Sequence, residues 1–185
     1  DRARHGRGFD DSANWIIAGF YFAVTYVVAL RGPEGFMFEI SLMRQHKELR
    51  NELVWLPIMG KLKGDDNLGV YHLRSVPIFS SGVNILARRN WLLTVHERAG
   101  RNVGPAICDS RGVLMKSQKM NENLWIALKH IFESGNARKL FPAAVKEKDS
   151  IRKMIQISRS PRQSGESRAL AAGVPVDNRE TVCRW

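Results

Sequence analysis

Residues 14–35 read NWIIAGFYFAVTYVVALRGPEG, and the reading of this stretch decides the kind of protein that follows. Seventeen mostly apolar residues, 14–30, end abruptly at Arg31. A membrane span needs about 20 such residues, with a range of roughly 17–25. Asn14 and Thr25 interrupt the run, and Gly32-Pro33 breaks any helix just beyond it. The preceding RARHGRGFDD carries both signs of charge, unlike the leader of a secreted protein. A helix that is apolar nearly all round belongs inside a protein core or a membrane. The features above favour the core, with a basic membrane-anchored protein as the competing expectation. On this reading residues 1–13 form a polar linker or frayed end, and 14–185 form one domain.

Outward from that helix the pattern changes period. Residues 53–59 (LVWLPIM) and 70–79 read as two strands around a turn-rich run, Gly60-Lys61-Leu62-Lys63-Gly64-Asp65-Asp66-Asn67. The prediction is a β-hairpin tipped with lysines. Residues 35–43 fit either a short helix or a strand. Residues 81–99 predict a helix with Ile85, Leu86, Leu92, Leu93 and Val95 inward and Arg88, Arg89 and Arg98 on a solvated face. A loop with some strand character, 104–113, leads to an amphipathic helix over 121–134, closed by Gly135. Pro161 suits the first turn of another helix, which stops at Gly173 before Val174-Pro175, and a last short helix is predicted over 176–182. The fold class is therefore α+β, mainly helical, with a small antiparallel β-sheet.

Composition narrows the partners. Of the 185 residues, 29 are Lys or Arg and 18 Asp or Glu, giving a net charge of +11 and a pI near 10.2. That excess favours a polyanion, most commonly nucleic acid. Residues 135–168 hold nine basic against three acidic residues, about half of the net charge. Cys108 and Cys183 make neither a disulfide framework nor a zinc site, and read as reduced thiols of an intracellular protein. His5, His46, His72, His96 and His130 show no metal-ligand spacing. The sequence contains no HExxH, P-loop, GxGxxG or GxSxG.

Three separated pieces then read together. The first is Ala29-Leu30-Arg31-Gly32-Pro33-Glu34-Gly35, an apolar helix ending in Leu-Arg with an acid three positions on. The second is the hairpin, with Gly60-Lys61-Leu62-Lys63 at its tip and His72-Leu73-Arg74-Ser75-Val76-Pro77-Ile78 on its return. The third is Arg159-Ser160-Pro161-Arg162, then Gly165, then Arg168-Ala169-Leu170-Ala171-Ala172-Gly173-Val174-Pro175, ending in Arg184-Trp185. Together they resemble the catalytic domain of the tyrosine recombinase (phage integrase) family: its first arginine box, its lysine hairpin, and its His-x-x-Arg box ending in His or Trp. The interval 185 − 159 = 26 matches that last box.

The resemblance implies a DNA breaking-and-rejoining fold and cleavage of DNA through a 3′-phosphotyrosine link. Arg31 and Arg162 would clamp the scissile phosphate, Arg159 would add charge, and Trp185 would donate its indole N–H. Lys61 would be the general acid, with Lys63 the alternative. Lys63, Arg74 and Arg168 would also track the DNA backbone. Neither a metal nor any other cofactor is required, because fixed guanidinium groups offer planar, permanent charge to phosphate oxygens. The partner implied is double-stranded DNA, bound by a homo-tetramer, in the nucleoid or nucleus, for integration or another recombination reaction of a mobile element. Two positions depart from the pattern. Arg159 stands where histidine is usual, and a guanidinium cannot act as a neutral base. Cys183 replaces a glycine. Tyr21, Tyr26 and Tyr71 all precede the last box and suit core or strand roles, so the nucleophilic tyrosine is expected one helix beyond Trp185, and an N-terminal DNA-clamping domain ahead of residue 14. The alternative is a degenerate relic that binds DNA without cutting it.

Overall fold

The apolar run forms the central helix, α1, Asp11–Val27. The computed structural model describes residues 11–27, 30–45, 53–55, 75–77, 79–80, 82–135 and 160–177. Ile17, Phe20, Tyr21 and Val24, at helical spacing, are completely buried, each worth about 1.5–3 kcal/mol relative to exposure. Helices α2 (Ile85–Arg98), α3 (Ser117–Glu133) and α4 (Ser160–Ala171) all pack against α1. Among the described residues no helix is long and apolar enough to cross a membrane. The core continues into the segment after α1, where Phe36, Phe38, Ile40 and Met43 are buried. Phe20 meets Phe38 edge-on at 5.7 Å between centroids.

Residues 35–43, open between helix and strand in the sequence, fall largely in two 3₁₀ turns, Gly32–Phe36 and Ile40–Leu42. Between them Glu39 bridges to Pro105 in antiparallel fashion. Three short strands follow, β1 (Arg44–Gln45), β2 (Leu53–Trp55) and β3 (Ser75–Pro77), in an antiparallel sheet of order β1-β2-β3. The β2–β3 register pairs Leu53 with Pro77, Val54 with Val76 and Trp55 with Ser75. This is the pairing expected of the lysine hairpin. Its tip lies outside the described residues.

Strands β4 (Phe79–Ser80) and β5 (Val83–Asn84) form a small second hairpin, and α2 therefore starts at Ile85 rather than near Ser81. Asn84 supplies the stop and the start together: its Oδ1 accepts from the Ala87 N–H at 2.8 Å, capping α2. Helix α3 begins at Ser117, four residues earlier than its apolar stripe suggests. Helix α4 occupies the place read from Pro161 to Ala172, and Gly173 ends it with φ of +72°, the left-handed geometry that favours glycine. Residues 176–177 are helical, and the remainder of the last expected helix lies outside the described residues.

The loop between α2 and α3 is held from inside. His96 is completely buried and its Nε2–H donates to Ala106 O at 2.9 Å. Arg101 donates to Cys108 Sγ and Asp109 O, each at 3.1 Å, and to Ser110 O at 2.9 Å. Arg89, expected on a solvated face, instead directs its guanidinium at Met43 O and so ties α2 to the start of β1.

Candidate nucleic-acid interface

The geometry around Arg31 begins with the end of α1. Tyr21 and Thr25, one turn apart, face the break. The Thr25 hydroxyl donates to Tyr21 O at 2.7 Å, and the Leu30 N–H returns to Thr25 O at 3.0 Å. The Tyr21 hydroxyl, wholly buried, donates to Gly32 O at 3.1 Å.

Arg31 is the residue that enters the 3₁₀ turn, with extended backbone (φ −68°, ψ 148°). Its N–H donates to Glu34 Oε2 at 2.9 Å, and its carbonyl accepts from the N–H groups of Glu34 and Gly35 at 2.9 and 3.2 Å. Glu34 thus closes the backbone half of a capping box, and the reciprocal half is missing because a guanidinium has no lone pair to accept a bond. The i,i+3 relation between Arg31 and Glu34 is therefore a carboxylate-to-amide bond rather than an ion pair. The Arg31 side chain is half-buried and forms no hydrogen bond or ion pair with another described residue.

Gly35 completes the turn by close approach. A Cβ there would lie 2.5 Å from Thr25 Cγ2 and 2.6 Å from Tyr21 Cε2. Only glycine lets the turn lie this close to α1, and this fixes where Arg31 emerges.

The third piece reaches the same helix from far away in sequence. Arg168 Nη1 donates to Tyr26 Oη at 3.1 Å, joining α4 to the last turn of α1 across 142 residues. Arg162 lies in the first turn of α4, six residues before Arg168, or about 9 Å along a helix axis. Arg168 is exposed, as a backbone-tracking cation would be, but part of its bonding is directed at Tyr26. Lys61, Lys63, Arg74, Arg159 and Trp185 lie outside the described residues, as do Tyr71 and Cys183. The third piece thus packs on α1, the helix that leads into the first piece. The hairpin contributes its paired strands.

Sequence reasoning missed Tyr21, Thr25 and Tyr26 as parts of this region. The available signal was the i,i+4 pairing of two hydroxyl residues in an otherwise apolar helix, immediately before its break. Among the described residues no group of three His, Cys, Asp or Glu is placed to hold a metal ion. Comparison with known protein families, with curated proteins and with solved structures finds no match to this chain.

Proposed function

We propose that this chain is a DNA-binding catalytic domain of tyrosine-recombinase type, which cleaves and rejoins DNA strands through a 3′-phosphotyrosine intermediate. One observation carries the reading: α4, which bears Arg162, packs on α1, and Arg31 stands four residues beyond the last residue of α1, with Arg168 bonded to Tyr26 in its last turn. A phosphate clamp built from two remote arginines requires such a junction. The antiparallel β2–β3 pair, which would present Lys61 and Lys63 on its connecting segment, supports the same reading.

In this proposal Arg31 and Arg162 hold the non-bridging oxygens of the scissile phosphate as negative charge builds in the pentacoordinate state. Arg159 adds charge, and Trp185 donates its N–H while packing its ring. Loss of one preorganised donor of this kind costs about 10²–10³ in rate. Lys61 releases a proton to the departing 5′ oxygen, with Lys63 the alternative. Neither Tyr21 nor Tyr26 is the nucleophile in this proposal. Tyr21 is sealed in the core and Tyr26 is engaged by Arg168. Lys63, Arg74 and Arg168 give salt-sensitive, largely sequence-independent affinity for duplex DNA, and assembly as a tetramer on DNA belongs to the same proposal.

The test uses the full-length protein and a nicked suicide duplex. A covalent protein–DNA band on a denaturing gel, lost in Arg162→Ala, is expected. DNA binding without such a band would turn the reading to a degenerate, non-cutting relic. Absence of salt-dependent DNA binding would reject both.

A further inference from the structure

An arginine that grips a phosphate must be aimed before the phosphate arrives, because an unaimed side chain loses conformational freedom on binding. At Arg31 the side chain has no described partner, so aim has to come from the backbone beneath it. That backbone is pinned on both sides. Glu34 holds the Arg31 N–H, and the next carbonyl along, that of Gly32, is held by the Tyr21 hydroxyl at 3.1 Å.

Tyr21 is a costly choice for a residue that only fills space. Its ring is completely buried, against Phe36 at 4.8 Å and Phe22 at 5.3 Å between centroids, and phenylalanine would occupy nearly the same volume. A buried hydroxyl without a partner costs roughly 1–3 kcal/mol, and the partner found here is the carbonyl immediately after Arg31. The edge of the same ring lies against Gly35. One side chain therefore meets the turn twice, by hydroxyl at its start and by ring edge at its end. Burial pushes the phenol well above its ordinary range, so the hydroxyl remains a donor at every pH the protein meets.

We infer that Tyr21 is a positioning residue for Arg31, its buried hydroxyl fixing the direction in which the guanidinium is presented to a DNA phosphate. This inference rests on the phosphate-gripping role proposed for Arg31. The bond acts through Gly32 and leaves Tyr21 out of contact with DNA.

The experiment measures binding of the full chain to a short duplex over a range of salt, for wild type, Tyr21→Phe, Arg31→Ala and the double variant. Melting of each protein is followed in parallel. Each phosphate contact contributes about 0.9 to the slope of log affinity against log salt. Arg31→Ala is expected to reduce the slope by about that amount. Tyr21→Phe should reduce it in the same direction, and the double variant should equal Arg31→Ala alone. Tyr21→p-aminophenylalanine, which returns a donor to the same place, should restore the slope even if it melts below wild type. A Tyr21→Phe protein that melts lower but keeps the wild-type slope would make Tyr21 a core residue only. So would a loss of affinity in Tyr21→Phe that adds fully to that of Arg31→Ala. If Arg31→Ala leaves the slope unchanged while the chain still binds DNA, the gripping role itself fails and the inference falls with it.

Discussion

Gly35→Ala is the sharpest perturbation the structure offers. The added methyl would sit 2.5 Å from Thr25 Cγ2 and 2.6 Å from Tyr21 Cε2, more than an ångström inside ordinary carbon–carbon contact. Neither neighbour can step aside, since Thr25 is 1% and Tyr21 0% exposed. Overpacking of this kind costs about 1–3 kcal/mol. The smaller entropic benefit of alanine over glycine, about 0.4–1 kcal/mol, offsets part of it. The net loss of roughly 1–2 kcal/mol corresponds to a Tm lower by about 2–8 °C for a domain of this size. Circular dichroism melting measures it directly. Thr25→Ser in the same protein removes the nearer methyl and should recover part of the loss, although the Tyr21 contact remains. A Gly35→Ala protein melting with wild type, or a loss untouched by Thr25→Ser, would refute the account of why this turn lies so close to α1.

Other perturbations probe different ties. Asn84→Ala removes the cap of α2 and should cost about 1 kcal/mol, seen as a lower midpoint in urea; an unchanged midpoint would show the cap to be idle. Arg101→Lys keeps the charge but loses the fork that reaches Cys108, Asp109 and Ser110, and should cost about 1–2 kcal/mol. Faster amide exchange at Asp109 and Met115, whose N–H groups bond Val113 O and Ile107 O, is its expected signature. Burial holds the His96 imidazole below its ordinary range, Ala106 opposes this and Arg101 adds to the depression. The folded state therefore binds its proton less readily than the unfolded chain. The resulting stability is fully present above the unfolded value near 6.5 and is lost as pH falls below it, by up to about 1.4 kcal/mol per pH unit. Urea midpoints at neutral and mildly acidic pH check this, and His96→Gln should flatten the dependence.

The helices were legible because their cause is local. Seventeen mostly apolar residues ending at Arg31-Gly32-Pro33 mark α1, and Pro161 with Gly173 bracket α4. Helix starts were less so: the helix read from Ser81 begins at Ile85, because Val83 and Asn84 form β5 and the Asn84 side chain caps α2. The Arg31–Glu34 relation could be read from spacing, since both ends lie within one turn. The contacts of Tyr21 with Gly32, and of Gly35 with Thr25, depend on how the chain folds back over its own helix, which no short window contains. The same holds for Arg89, whose partner carbonyl lies 46 residues away. A charged residue in a helical pattern gives no sign of whether water or a distant backbone carbonyl will meet it.

Arg89 and Arg101 share a property with a practical consequence. Each guanidinium reaches uncharged acceptors among the described residues: the Met43 carbonyl and the Asn90 side chain for one, a thiol and two carbonyls for the other. Ionic strength weakens attractions between separated charges far more than contacts already made between a cation and a neighbouring dipole. These two struts should therefore outlast a salt concentration that strips the molecule from any polyanion. A concentrated salt wash during purification would remove adhering nucleic acid and leave the helices joined.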